Sequence, residues 1–236
     1  LNKGKRIAAF ISLILLVCAV VFVAFMLFQV RNITVMGCNS LTEEQVEALS
    51  GLEYGQSIFF VDTEAVMEAL KADPYVNPVS VAIKYPYTVA IEIHERTPAA
   101  YIDVSGMRLT IDSEAVLLSV DANPAGEVKP MVTGISTDRF EVGQPLGNDA
   151  YKRKVFSDLL SALKDCQLDV VSIDMTYTSS VKLQTSGGFI VQLGNADALA
   201  TKLSLACYAL DELAGQEKTA GIIDVSTGAV AYYREN

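Results

Sequence analysis

The chain has 236 residues, with 28 Asp and Glu against 18 Lys and Arg, a single His and a net charge of −10. Three of the cations, Lys3, Lys5 and Arg6, stand within the first six residues, so the remainder is more acidic still. That balance excludes nucleic acid as a partner, because neutralising phosphates needs clustered Lys and Arg, and it sets the bulk of the chain against anionic lipid headgroups. Ile7 to Phe28 is apolar throughout except for Ser12. At about 1.5 Å per residue this run reaches about 33 Å, enough for a bilayer core. It lacks the short apolar core and small-residue cleavage site of a signal peptide, so residues 7–28 read as a transmembrane helix. Cations precede the span and only Arg31 closely follows it. The expected arrangement is a single-pass membrane protein with residues 1–6 as a cytoplasmic tail and an extracytoplasmic bulk. Leu1 is not a start methionine, so a longer tail is expected.

From residue 30 the pattern becomes globular. Ile33 and Val35 alternate with polar neighbours in a strand ending at Met36-Gly37. Thr42 with Gln45 three residues on forms a capping-box signature, Glu43 and Glu44 fill the first turn, and Gly51 ends the helix. A second helix starts at Asp62, turns Val66, Ala69 and Leu70 inward, and stops before Asp73-Pro74. Two strands follow, Val79-Val81-Ile83 and Val89-Ile91-Ile93, joined by Tyr85-Pro86-Tyr87-Thr88. The β-α-α-β-β order over residues 30–98 resembles a POTRA domain. The run G-x-N-S from Gly37, then D-P-Y-V from Asp73, then Glu95-Arg96-Thr97-Pro98-Ala99 is similar to the FtsQ/DivIB family of bacterial cell-division proteins. In that family the E-R-x-P-x-A element joins the POTRA to a β domain, which marks Glu95, Arg96 and Pro98 as junction residues.

Residues 99–236 read as a β-rich domain with two helices, making the fold class α+β. Short strands flank Ser105-Gly106, and Leu117-Leu118 and Met131-Val132 follow, separated by a polar loop over 121–126. The stretch Leu109–Asp112 takes the place of a family Y-x-I-D element, with Glu114 where a turn glycine is usual. A helix from about Asp149 carries Val155, Phe156, Leu159, Leu160 and Leu163 on one side. Asp169–Met175 is a strand, and Val181–Thr185 and Phe189–Leu193 form a hairpin through a two-residue Gly187-Gly188 turn. The last helix, about Asp197 to Leu213, places Leu199, Leu203, Cys207 and Leu210 on one stripe. Leu193-Gly194 with Lys202-Leu203 resembles a family L-G…K-L signature. Two strands close the chain, Gly221–Val225 and Ala229–Tyr233, around a turn at Asp224–Gly228.

Catalysis would need a nucleophile beside a base, a metal cluster or a poised carboxylate pair. His94 stands alone and alternates away from Ile91 and Ile93, and the carboxylates Asp62, Asp112 and Asp174 sit at element ends where capping is the default. The chain is therefore read as no enzyme, with no metal and no cofactor. Cys18 lies in the span; Cys38, Cys166 and Cys207 have no C-x-x-C spacing. Cys207 is expected as a core residue, and a Cys166–Cys207 disulfide depends on the fold bringing the two together. An outer-membrane secretion or envelope-assembly component is the alternative POTRA reading, but no series of lipid-facing barrel strands follows.

Resemblance to the FtsQ/DivIB family implies a scaffold at the division septum. Its partners would be FtsB/DivIC and FtsL, with septal peptidoglycan synthases further along, coupling cytoplasmic ring assembly to wall synthesis. The resemblance places the FtsB/DivIC strand at the end of the β domain, here Gly221, Ile222, Ile223, Val225, Gly228, Val230, Tyr232 and Tyr233. Strand propensity is independently high there, and an open sheet edge can accept a strand from another chain.

Overall fold

The computed structural model describes residues 3–121, 129–166 and 168–235. The chain divides into two units, Leu1–Glu95 and Arg96–Asn236. The loop expected over 121–126 lies, beyond Asp121, outside the described residues.

The first unit opens with helix α1, Lys3–Leu27. Its Ala9–Leu27 stretch has a mean hydropathy of 3.1 and is long and apolar enough to cross a membrane. Strand β1 (Asn32–Met36) follows, then α2 (Glu43–Ser50), a single 3-10 turn (Ile58–Phe60), α3 (Thr63–Leu70), β2 (Val76–Lys84) and β3 (Thr88–Glu95). The helix starts obey local chemistry. Thr42 and Gln45 form the reciprocal capping box of α2, and the Asp62 carboxylate accepts from Glu64 N and Ala65 N of α3.

The sheet order is β1-β3-β2, with β1 parallel and β2 antiparallel to the central β3. Helix α2 packs on α3 and β1, and α3 packs on β2. Val46, Val66 and Leu70 meet Ile33, Val35, Val89, Ile91 and Ile93 in one core. The expected face of β2 holds only in part. A register shift between Pro78 and Ser80 leaves Val79 opposite no partner and 54% exposed, while Val81 and Ile83 lean on the core. One extra residue in an edge strand reverses the alternation around it. His94 is exposed, as its position opposite Ile91 and Ile93 requires.

Among the described residues the second unit is one nine-stranded sheet carrying two helices. Its strands are β4 (Ala100–Val104), β5 (Met107–Ile111), β6 (Leu117–Asp121), β7 (Met131–Thr133), β8 (Val170–Asp174), β9 (Val181–Thr185), β10 (Phe189–Gly194), β11 (Gly221–Asp224) and β12 (Tyr232–Arg234). They lie in the order β12-β11-β10-β9-β8-β7-β4-β5-β6. Helices α4 (Ala150–Cys166) and α5 (Leu199–Gly215) pack on each other, and α5 also touches β10 and β11. Asp149 caps α4 by accepting from Lys152 N at 2.9 Å, and Val155, Phe156, Leu159, Leu160 and Leu163 are all buried.

Two expectations are corrected here. The β9–β10 connection is a three-residue loop, Ser186-Gly187-Gly188, in which only Gly188 has positive φ (84°). Gly188 N bonds Thr185 O, and the Thr185 hydroxyl accepts from Phe189 N, so a hydroxyl side chain closes the hairpin. Cys207 is only half-buried, since the inward stripe of α5 runs through Leu199, Leu203, Ala206 and Leu213. Its thiol donates to Cys166 O at 3.6 Å, and both cysteines are free thiols. Burial first, and the Cys166 side chain second, push the Cys207 pKa up to about 12.

Candidate functional site: the C-terminal sheet edge

Strand β11 adds parallel to β10, Phe189 opposite Gly221 and Val191 opposite Ile223. The chain then turns and β12 returns antiparallel, with Tyr232 opposite Asp224, Tyr233 opposite Ile223 and Arg234 opposite Ile222. Within the turn, Asp224 Oδ1 accepts from Ser226 N at 2.9 Å, and Gly228 N donates to Val225 O at 2.9 Å. Hydrogen bonds from Ser226 hold the Asp224 carboxyl below its ordinary pKa. Among the described residues nothing pairs with the outer side of β12, so its outward N–H and C=O groups are available.

Strand alternation divides the expected contact residues. Ile223 and Val225 are fully buried, and Gly221, which has no side chain, is buried with them, so none of the three offers a side chain to the surface. Ile222 and Gly228 are half-buried. Val230 stands outside β12 and is exposed, and Tyr232 is 62% exposed. Tyr233 points the other way: it packs against the core and its hydroxyl donates to Ala220 O at 3.0 Å. The ring lies across Gly221, where a Cβ would collide with Tyr233 Cε2 and approach Arg234 O at 2.9 Å. With φ at 145°, Gly221 also holds a backbone conformation that other residues rarely adopt. The two tyrosines thus have opposite duties, one outward and one holding the edge strand down.

A residue named only through the L-G…K-L likeness supports the same edge. Lys202 is 3% exposed and its ammonium donates to Asn195 O (2.9 Å) and Asn195 Oδ1 (2.6 Å). Burial lowers its pKa. Its methylene stem runs beneath Gly228, at 3.7 Å from where a Cβ would stand. A lysine in an apolar helical stripe gives no sequence sign of this role, because its acceptor lies in a loop seven residues back.

The motif 95–99 serves each unit separately. In the first, Glu95 is 6% exposed and its Oε2 accepts from the backbone N–H of Asn39 (2.7 Å), Ser40 (2.9 Å) and Leu41 (3.2 Å). Burial pushes its pKa up, but the three donors outweigh it and the net shift is downward. In the second, Arg96 Nη1 donates to Asp112 Oδ2 and to Glu114 Oε2 (3.1 Å). Burial opposes the cation and the two carboxylates outweigh it, so the Arg96 pKa is raised. Asp112, 3% exposed, also accepts from Glu114 N and Val116 N, each at 2.8 Å. Ala115, with φ 61°, takes the left-handed position beside Glu114, where the family pattern suggested a glycine. Pro98 is half-buried, and the next residue bonds Ala99 N to Ile111 O. Among the described residues no three His, Cys, Asp or Glu gather as a metal site.

Residues 28–96 match the family described as POTRA domain, FtsQ-type. Cell division protein DivIB of Clostridium acetobutylicum is 26% identical over 200 residues, covering 84% of this chain and 80% of that one. DivIB of Clostridium botulinum strain Loch Maree is 25% identical, covering 99% and 94%. Cell division protein FtsQ of Chloroflexus aurantiacus is 25% identical, covering 89% and 78%.

The chain carries an FtsQ-type POTRA domain and is similar over most of its length to cell-division proteins named DivIB and FtsQ.

These relatives support a role in cell division, and α1 is a candidate single-pass membrane anchor for an FtsQ-type POTRA domain. A solved extracytoplasmic domain of DivIB from Geobacillus stearothermophilus aligns with 50% of this chain and 96% of its own at 19% identity. Its TM-score of 0.31 adds nothing to that assignment.

Proposed function

We propose that this FtsQ/DivIB-like chain is a non-enzymatic scaffold of the division machinery, anchored through residues 7–28 with its N-terminus in the cytoplasm. Residues 30–98 act as the POTRA module and 99–236 as the partner-binding β domain. Edge strand β12 receives a strand of FtsB/DivIC, FtsL joins the same assembly, and the complex links cytoplasmic ring assembly to septal peptidoglycan synthesis. The observation that carries this reading is the unpaired outer side of β12 with Tyr232 and Val230 exposed beside it. Backbone pairing along a three-residue strand gives little specificity, so exposed side chains must supply it.

The test is titration of an FtsB/DivIC peptide into wild type, Tyr232→Ala and Tyr233→Phe. Tyr232→Ala should weaken capture about tenfold, or about 1.4 kcal/mol. Tyr233→Phe keeps the ring on Gly221 and should bind as wild type. Equal affinity in Tyr232→Ala and wild type would move the interface away from β12.

A further inference from the structure

The first unit exposes aromatic side chains at one end, and that end is where α1 arrives. Phe28 follows the last residue of α1 and touches the rings of Phe59 (5.0 Å between centroids) and Tyr85 (6.3 Å); Phe59 and Tyr85 are 5.9 Å apart. Backbone bonds lock this end to the helix exit. Ile58 N donates to Phe28 O, Val30 N to Gln56 O, and Arg31 N and Asn32 N to Tyr87 O. Around these bonds Phe60 is 85%, Tyr85 62%, Phe59 60% and Tyr87 45% exposed. Single exposed aromatics need no explanation, but four at one end of a small unit do.

Depth follows from α1. The 19 residues Ala9–Leu27 rise about 28 Å, close to the thickness of the hydrocarbon core. If α1 spans a bilayer, Leu27 lies at its outer boundary and Phe28 at headgroup level. Arg31 supports that depth, since its guanidinium reaches back to Met26 O at 2.7 Å and so stands beside the helix end. Lys84, exposed and next to Tyr85, adds a second cation. Aromatic rings flanked by Arg and Lys are what a membrane–water interface selects. The acidity of the chain as a whole opposes contact with an anionic surface, but this end presents cations and rings.

We propose that the POTRA end bearing Phe59, Phe60, Tyr85 and Tyr87 is seated in the headgroup layer of the bilayer that α1 crosses, so that the unit is held against the membrane by its aromatic end. This rests on the reading of α1 as a span, and the test separates the two. The chain has no Trp, so single substitutions each give one fluorophore in the full-length protein. Phe22→Trp reports the span and Phe60→Trp the aromatic end. Tyr75→Trp reports the far end of β2, about 26 Å away along the strand. Each is reconstituted into phosphatidylcholine–phosphatidylglycerol vesicles with and without brominated acyl chains. Phe60→Trp should show blue-shifted emission and loss of intensity in brominated vesicles, as Phe22→Trp does, while Tyr75→Trp shows neither. Quenching at Phe22→Trp but none at Phe60→Trp would overturn the seating while keeping the span, and leave the aromatic end to a protein partner. No quenching at Phe22→Trp would overturn the span and the seating together.

Discussion

The two units hold their sheets by different means. Among the described residues the first buries no aromatic side chain, and its largest buried groups are Ile58, Leu70 and Ile91. The second is built around Phe156 and Phe189, with two helices packed on each other over nine strands. A small unit buries a smaller share of its surface and is correspondingly marginal. It therefore leans on single devices, Ile91 at the centre of β3 and Glu95 at its end, where the larger unit spreads the same duties over many residues.

The strongest way to break this comparison is Ile91→Asp. Ile91 is fully buried on the central strand, between Val35 of β1 and Val81 of β2. An unpaired carboxylate there costs several kcal/mol, against a stability of roughly 5 kcal/mol for a small domain. Hydrogen exchange read segment by segment should show β1, β2 and β3 losing protection. Protection retained across β3 would mean the first unit is not marginal.

What the sequence made legible follows the range of the interaction that fixes it. Thr42 with Gln45, Asp62 and Asp149 announce helix starts because each cap bonds within three residues. The buried side of α4 was legible from periodicity. The bulge between Pro78 and Ser80, which turns Val79 outward, is decided by pairing with β3. The three-residue loop at Ser186–Gly188 depends on the Thr185 hydroxyl, which competes with the two-glycine reading. At the C-terminal edge, composition marked Tyr232-Tyr233 as a pair but could not assign them. Only the ring of Tyr233 lying on Gly221 separates the anchor from the exposed contact.

A second, smaller effect probes that anchor in the larger unit. Gly221→Ala places a methyl against Tyr233 Cε2 and Arg234 O at a φ of 145°. We expect a cost of about 2 kcal/mol. It is spent locally, because the easiest relief is for the Tyr233 ring to leave and β12 to detach. Amides of β12 should exchange faster and peptide capture should fall, while α4 and β8 to β10 stay protected. Unchanged exchange in β12 would mean the edge strand is not held by this ring.

The smallest effect concerns Glu95 and pH. Gln at this position keeps an acceptor for Asn39, Ser40 and Leu41 N–H but loses the charge, so Glu95→Gln should cost about 1 to 2 kcal/mol near neutral pH. The sign follows from the direction of the shift. The folded-state pKa of Glu95 is lowered, whereas the unfolded chain titrates near about 4.3. The carboxylate's contribution is therefore fully present above the unfolded pKa and is lost as pH falls through the folded one. Wild type and Glu95→Gln should differ most above that range and converge in acid, with the loss seen in the exchange of β1 and of the 39–41 loop. Asp224 is also lowered, through Ser226, so the β11–β12 turn should weaken in the same direction. It lies at the surface of a larger core, and its loss should leave β8 to β10 untouched. A constant gap between wild type and Glu95→Gln from neutral pH into acid would show that shape, not charge, is what the three N–H groups require.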